Sequence, residues 1–254
     1  MKYKGLIMFV LILILFGCGK KETRYEAHSF KNGKDGKMLL YRLLKPTNYD
    51  KNVKYPLVIF LHGAGERGQD NMKQLMHGAK IFETKVNLKK YPCFVIVPQC
   101  PEGQRWVEVD WSLEKHIMPE NPSEPVNLLM ELIDSFEKRY NVDENRIYVT
   151  GLSMGGFGTW DLIARYPNMF AAATPVCGGG DVTTAKIIKN IPIWAFHGAI
   201  DKTVNPQRTR DMIKAIEDAG GNPQFTEYDS VAHNAWDKAY GDPKLLEWMF
   251  EQEK

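Results

Sequence analysis

The sequence predicts an α/β fold, with a mostly parallel, doubly wound sheet and helices on both of its faces. Short apolar runs alternate along the chain with segments whose apolar residues have helical spacing, the pattern of strand-helix-strand units. Most of these runs are hydrophobic at nearly every position, as in strands that are covered on both faces. The predicted strands are residues 55–61, 94–97, 147–150, 171–176, 191–196 and 225–228.

The segments around these strands predict one further strand and three helices. Residues 38–44 precede the others and predict an antiparallel strand at the beginning of the sheet. Residues 126–140 and 207–219 carry apolar side chains three and four positions apart, so each predicts a helix with one face on the core. A third helix is predicted from residue 154 to about residue 166.

The first 17 residues have the composition of an export signal. Lys2 and Lys4 precede the apolar stretch 5–16, and Gly17 and Cys18 follow it. An apolar helix of this length spans about 18 Å, too short for a bilayer core of about 30 Å. The ending L-F-G-C resembles a bacterial lipobox, which implies that Cys18 is lipidated and holds the exported protein on a membrane. Ordinary secretion is the alternative.

The rest of the chain predicts a tether and one domain. Residues 18–35 are mostly polar and are interpreted as the tether, and residues 36–254 as a single domain. The formal charge of +2 is accounted for by Lys2 and Lys4, and the other residues are balanced. This balance gives no reason to expect nucleic acid as a partner, and a membrane would be contacted only through the lipid anchor.

Three cysteines remain besides Cys18, namely Cys93, Cys100 and Cys177. An extended run separates Cys93 from Cys100 by about 23 Å, too far for a disulfide. A bond between Cys100 and Cys177 and buried free thiols are both open. The cysteine spacing resembles neither a zinc nor an iron-sulfur site, and no metal or cofactor is predicted.

The segment T-G-L-S-M-G-G, residues 150–156, places a serine between a predicted strand and a predicted helix. This context is typical of a nucleophile elbow, a sharp turn that exposes the serine hydroxyl above the strand ends. Gly151 and Gly155 fit this interpretation, because their positions come too close to other backbone for larger side chains. Ser153 is therefore the predicted nucleophile, and the N–H of Met154 is a predicted donor to an oxyanion.

A serine nucleophile needs a base and an acid, and hydrolases with this elbow use the order serine, acid, histidine. His197 and His233 follow the serine, and His197 ends an apolar run, as a packed histidine at a strand end does. His233, in the loop after the last predicted strand, is the predicted base. Asp201 follows the preceding strand and is the predicted acid, with Asp229 as the rival.

The loop H-G-A-G-E-R-G, residues 62–68, follows the predicted strand 55–61. Its glycines allow the backbone to approach a carbonyl oxygen, so the N–H of Gly63 or Ala64 is predicted to join that of Met154 in an oxyanion hole. A phosphate-binding loop is the other interpretation of such glycines. It fails because the G-K-[ST] sequence is absent here.

These motifs resemble the serine esterases of the α/β-hydrolase superfamily. The resemblance rests on L-H-G-A-G-E-R-G at 61–68, V-P-Q-C-P at 97–101, G-L-S-M-G-G-F-G-T-W at 151–160, W-A-F-H-G-A-I-D at 194–201 and H-N-A-W at 233–236. The segments are similar to those of phospholipase/carboxylesterases, dienelactone-hydrolase-like proteins, polyhydroxybutyrate-depolymerase-like proteins, and feruloyl and acetyl-xylan esterases. They are also similar to those of predicted peptidases of the prolyl-oligopeptidase type. The resemblance implies a serine hydrolase of carboxylic esters that forms an acyl-enzyme and needs no cofactor.

The spacing of the motifs bears on the substrate. Only about 15 residues separate the predicted strands 171–176 and 191–196, where this fold usually carries a lid, so no cap domain is predicted. Trp106, Trp111 and Trp236 are candidates for binding a sugar or phenolic ring, and core packing is the alternative for Trp106 and Trp111. An exported, uncapped esterase suits acetyl or feruloyl groups on plant polysaccharide. A serine peptidase and a non-catalytic binding lipoprotein are the alternatives.

Overall fold

The computed structural model describes residues 23–254. The predicted export signal 1–17 and the predicted lipidation site Cys18 lie outside the described residues. Within the described part of the chain, no helix combines the length and the hydrophobicity needed to cross a membrane.

Eight strands of the described residues form one sheet. Their order is β1-β2-β4-β3-β5-β6-β7-β8; β1 and β2 pair antiparallel with each other, β2 pairs antiparallel with β4, and the remaining pairs are parallel. The strands are β1 (Glu26–Lys31), β2 (Met38–Leu44), β3 (Tyr55–Leu61), β4 (Phe94–Gln99), β5 (Val142–Leu152), β6 (Ala172–Val176), β7 (Trp194–Gly198) and β8 (Gln224–Tyr228). The predicted mostly parallel sheet and the predicted antiparallel strand 38–44 are confirmed, but β1 precedes that strand in the chain and lies outside it in the sheet.

Helices cover both faces of this sheet. They are α1 (Lys85–Lys90), α2 (Glu124–Arg139), α3 (Met154–Arg165), α4 (Ala185–Ile188), α5 (Gln207–Asp218), α6 (Trp236–Ala239) and α7 (Pro243–Phe250). The strands are buried on both faces: Leu57 and Ile59 of β3 join the core under α2, α3 and α5, whereas Val58 and Phe60 join the core under α1, α6 and α7. This two-sided burial explains the nearly continuous hydrophobic runs in the sequence.

The predicted tether 18–35 is wrong over its second half. Residues 26–31 form β1, which pairs along its length with β2, and Tyr25 just before it is buried. The prediction failed because β1, E-A-H-S-F-K, is an edge strand with partly exposed side chains and lacks the apolar run that marks the central strands.

The described residues carry no inserted cap between β6 and β7. A single turn of 3₁₀ helix (Val182–Thr184) and the short α4 fill that connection. The carboxyl ends of β3, β5 and β7 lie at one edge of the sheet, where parallel strands bring their following loops together. The three loops that carry the sequence motifs therefore meet there.

Candidate active site

Ser153 lies at the sharp turn between β5 and α3, as the sequence predicts. Its backbone has φ 53° and ψ −117°, a conformation that non-glycine residues rarely adopt. A Cβ on Gly151 would lie 2.4 Å from the carbonyl oxygen of Gly155, and a Cβ on Gly155 would lie 2.0 Å from that of Leu61. Both positions thus require glycine, because the backbone segments of the turn are in direct contact.

A continuous line of hydrogen bonds leads from this serine to Asp201. Ser153 Oγ lies 2.8 Å from Nε2 of His233, and Nδ1 of His233 lies 2.6 Å from Oδ2 of Asp201. The serine and the imidazole are partly exposed, whereas Asp201 is buried. The rival acid Asp229 is exposed. The structure therefore brings together the three residues predicted as nucleophile, base and acid.

Further hydrogen bonds hold the carboxylate of Asp201. Oδ1 accepts the backbone N–H groups of Thr203 and Val204 at 2.8 and 3.0 Å, and Oδ2 also lies 3.2 Å from Nε2 of His197. Burial by itself would raise the pKa of Asp201. The hydrogen bonds from His197, His233 and the two N–H groups outweigh it and hold this pKa well below its ordinary value. Asp201 is therefore ionised at neutral pH.

The three predicted oxyanion residues lie around the serine. Gly63, Ala64 and Met154 line the same cleft as Ser153. Ala64 begins a turn of 3₁₀ helix (Ala64–Glu66), and Met154 begins α3, so neither N–H has an acceptor within its own helix. These free donors are suited to an oxygen that carries negative charge.

Two buried side chains fix the position of the loop 62–68, that of its own first residue, His62, and that of Trp106. His62 is fully buried; its Nδ1 lies 2.6 Å from the carbonyl oxygen of Gly63, and its Nε2 lies 2.9 Å from the backbone nitrogen of Cys100. Trp106 is also fully buried and donates its indole N–H to the carbonyl oxygen of His62 at 3.0 Å. The prediction that Trp106 binds substrate is therefore wrong, because the ring packs under the loop and does not reach the cleft.

The cleft above Ser153 has a volume of about 340 Å³. Trp111 and Trp236, two of the three tryptophans predicted to bind a sugar or phenolic ring, line it. Other lining side chains were missed by the sequence analysis. They are Glu66, His77, Leu152, Phe157, Thr203 and Val204. Glu66 stands in the quoted motif H-G-A-G-E-R-G, which was the one sequence signal for it, whereas only the folded chain brings His77 and Phe157 to the cleft.

The cysteines within residues 23–254 are free and buried. Cys177 lies beside the acid and the base, with its Sγ within 4.8 Å of ligand atoms of Asp201 and His233. Burial raises the pKa of Cys177 to about 12, so at neutral pH it is a thiol and not the thiolate that binds metals. The atoms of Asp201 and His233 that face each other are already engaged in their own hydrogen bond.

Several curated proteins are similar to this chain in sequence. Poly(3-hydroxyalkanoate) depolymerase C of Paucimonas lemoignei is 29% identical over 224 residues, which cover 74% of this chain and 51% of that protein. A bifunctional acetylxylan esterase/xylanase of Neocallimastix patriciarum is 33% identical over 88 residues, which cover 35% of this chain and 13% of that protein. The chain thus spans about half or less of the length of these curated relatives.

Solved structures extend the comparison. A thermostable esterase is 40% identical with a TM-score of 0.83, over 91% of this chain and 64% of that one. A ferulic acid esterase, 17% identical, shares the fold with a TM-score of 0.68 over 91% of this chain and 99% of that one. The family pattern of the phospholipase/carboxylesterases matches residues 48–243, which include Ser153, Asp201 and His233. Together with the fold and the arrangement around Ser153, this match shows that the chain belongs to the phospholipase/carboxylesterase family.

Proposed function

We propose that the protein is a serine carboxylic-ester hydrolase that works through an acyl-enzyme. The observation that carries this proposal is the line of hydrogen bonds from Ser153 through His233 to the buried Asp201. Ser153 and His233 line the cleft, where a substrate can reach them. A serine hydroxyl is a weak nucleophile until an adjacent base removes its proton. Here the base is already within 2.8 Å of the hydroxyl oxygen.

The first half of the reaction acylates the serine. Ser153 Oγ attacks the ester carbonyl carbon while its proton passes to Nε2 of His233, and the carboxylate of Asp201 stabilises the resulting imidazolium. The negative oxygen of the tetrahedral intermediate accepts the N–H groups of Met154 and of the loop at Gly63 and Ala64. The intermediate then breaks its bond to the alcohol oxygen, which takes the proton from His233 and leaves.

The second half of the reaction returns the enzyme to its first state. Water takes the place of the alcohol, gives a proton to Nε2 of His233 and attacks the acyl carbon. The second tetrahedral intermediate uses the same N–H donors. Its collapse releases the carboxylic acid, and Ser153 Oγ recovers the proton from the imidazolium. No step requires a metal or an organic cofactor.

The favoured substrates are acetyl or feruloyl esters of plant polysaccharide. Several relatives are named acetylxylan esterases, and a structural neighbour is named a ferulic acid esterase. The connection between β6 and β7 carries no cap, so a polymer has access to the cleft. Trp111 and Trp236 offer aromatic surfaces to a sugar or a phenolic ring. Export and lipid anchoring at Cys18 would place the enzyme where such polymers occur, and one relative is named a secreted protein.

The test compares the full-length protein with its Ser153→Ala variant on acetylated and feruloylated arabinoxylan and on a peptide pool. Mass spectrometry identifies the released products. We expect acetate or ferulate from the unchanged protein and none from Ser153→Ala, because the acyl-enzyme cannot form. Ser230→Ala, at an exposed serine, is the matched control and should keep full activity. Peptide cleavage without release of acid would replace the esterase proposal by a peptidase.

A second pair of variants tests the choice of acid. Asp201→Asn should lower kcat by a factor of about 10³ to 10⁴, because the amide cannot stabilise the imidazolium of His233. Asp229→Asn should stay within about twofold of the unchanged protein, since surface substitutions of this kind have small effects. The reverse result would assign the acid role to Asp229.

A further inference from the structure

Glu66 is a buried carboxyl group in the cleft that the proposed reaction does not use. Only 7% of its surface is exposed, and it lines the same cleft as Ser153. Burial raises its pKa, whereas His77 and the backbone N–H groups of Gly63 and of Glu66 itself act in the opposite direction. A buried carboxyl group is costly unless it bonds to other groups, so its presence beside a nucleophile calls for a function.

His77 lies next to Glu66 at the cleft, and the two polar atoms nearest each other make no direct hydrogen bond. Nε2 of His77 is 3.8 Å from Oε1 of Glu66, which is longer than a hydrogen bond. The two atoms are too close for an oxygen to lie on the line between them, but a hydroxyl oxygen beside them, about 2.8 Å from each, can accept from the imidazole N–H and donate to the carboxylate, as a bridging water does. The pair can therefore hold a hydroxyl group of a substrate.

Trp236 continues this wall of the cleft as far as the proposed base. Its ring centroid lies 5.6 Å from that of His77 and 5.2 Å from that of His233, and it meets His233 edge-on. Since His233 returns its proton to the departing alcohol oxygen, the alcohol part of the ester must lie within reach of His233. The wall of Glu66, His77 and Trp236 consequently lies on the alcohol side of the cleft.

The opposite side of the cleft has a different character. The lining residues Trp111, Phe157 and Val204 belong to or pack against the core on one face of the sheet, whereas Trp236 packs against the core on the other face. The rings of Trp111 and Phe157 lie 6.4 Å apart. These side chains present mostly apolar surface, which is suited to the acyl group and not to a polyol. The cleft thus has an apolar side, and a side that combines an aromatic face with a carboxylate and an imidazole.

The backbone that carries His77 is fixed by its neighbours. Gly78, at φ 73°, packs where a Cβ would lie 2.5 Å from the ring of Tyr240 and 2.7 Å from that of Phe60. The carbonyl oxygen of the next residue, Ala79, accepts a hydrogen bond from the hydroxyl of Tyr25 at 2.8 Å. His77 is therefore presented from a packed turn, and little conformational entropy is lost when a ligand binds there.

We infer that Glu66, His77 and Trp236 form a subsite for a polyhydroxylated alcohol, the sugar unit from which the acyl group is removed. The carboxylate and the imidazole bind hydroxyl groups, and the indole packs against the C–H face of the ring. The inference rests on the proposed esterase function and names the part of the cleft that distinguishes a sugar ester from a simple ester.

The experiment uses two esters that share the acetyl group and differ in the alcohol, acetylated xylo-oligosaccharide and 4-nitrophenyl acetate. The full-length protein is compared with Glu66→Gln, which keeps the side-chain shape, and with His77→Phe, which keeps a ring against Trp236. For each variant, kcat/KM for the sugar ester should fall at least about tenfold more than kcat/KM for the aryl ester, the loss expected for a hydrogen bond to a charged group. Glu247→Gln, at an exposed carboxylate paired with Lys90, is the control and should change both values equally little.

Three other outcomes would overturn the inference. Equal losses on both esters would show that Glu66 and His77 only support the loop at Gly63. Unchanged values in both variants would show that sugar hydroxyls do not contact them. Hydrolysis of the aryl ester without any hydrolysis of the sugar ester by the unchanged protein would remove sugar esters from the proposed function and the subsite with them. Melting temperatures identify a variant that fails to fold, and the other variant then decides.

Discussion

His62 supports the loop at Gly63 and Ala64 as a neutral imidazole. Nδ1 donates to the carbonyl oxygen of Gly63, and Nε2 accepts the N–H of Cys100, so the second ring nitrogen has to stay without a proton. Burial lowers the pKa of His62 to about 4. A proton on Nε2 would face the N–H of Cys100, and the loop would lose one of its supports.

This arrangement predicts how stability depends on pH. Between pH 6.5 and about 4 the unfolded chain binds a proton at residue 62 that the folded chain does not, so the free energy of unfolding falls as the pH falls through this window. In His62→Asn this dependence should become flatter by up to about 1.4 kcal/mol per pH unit. Urea denaturation of both proteins at several pH values from 7 to 4 measures the two slopes. Equal slopes would mean that His62 takes up its proton over the same pH range in the folded as in the unfolded chain, which would contradict the neutral imidazole.

At the scale of elements, α5 holds the loop that forms one wall of the cleft. Arg208 of α5 is buried, and its Nη1 donates to the carbonyl oxygen of Leu113 at 2.6 Å and to that of Trp111 at 3.4 Å. Its guanidinium also bonds to His116 and lies 4.8 Å from the ring centroid of Phe157. One side chain thus positions both Trp111 and Phe157, the two aromatic rings on the apolar side.

Replacing Arg208 should make Trp111 and Phe157 less firmly held without changing Ser153, His233 or Asp201. Arg208→Lys keeps the charge but loses the planar fork that binds several carbonyl oxygens at once. We expect KM for an ester with an aromatic acyl group to rise about tenfold while kcat changes less than about threefold, because substrate binding and not proton transfer is affected. Arg210→Lys, on the same helix with Glu227 as its partner, is the control. A fall in kcat alone would place Arg208 in the chemistry instead.

The sequence could predict some of these elements and not others, for physical reasons. Ser153 and His233 stand in local sequence motifs. The strands that precede them could be predicted from apolar runs, most of which are buried on both faces of the sheet. The contact between Arg208 and the backbone of Trp111 joins residues 97 positions apart, so no local pattern signals it. Trp106 was misplaced because a tryptophan in a long loop looks the same in sequence whether it packs inward or outward.

At the scale of the whole molecule, the segment that begins with Tyr25 and continues into β1 contacts both the edge of the sheet and the turn that carries the cleft residue His77. Tyr25 precedes β1 and is 2% exposed, its carbonyl oxygen accepts Nη1 of Arg42 on β2, and its hydroxyl donates to Ala79. Without β1, the strand β2 would become the edge of the sheet and present unpaired N–H and C=O groups. The segment at residues 23–31 therefore covers the edge of β2 and also supports the turn that carries His77.

Two substitutions at Tyr25 separate these contributions. Tyr25→Ala should lower the free energy of unfolding by about 3 to 5 kcal/mol, because it leaves a large cavity in the core beside β1. Tyr25→Phe should cost only about 1 kcal/mol, the net value of its hydrogen bond to Ala79. Thermal unfolding then shows a shift of about 10 °C for the first variant and of a few degrees for the second. If the alanine variant unfolded at the temperature of the unchanged protein, Tyr25 would contribute little to the stability of the domain, although β1 is paired in the sheet.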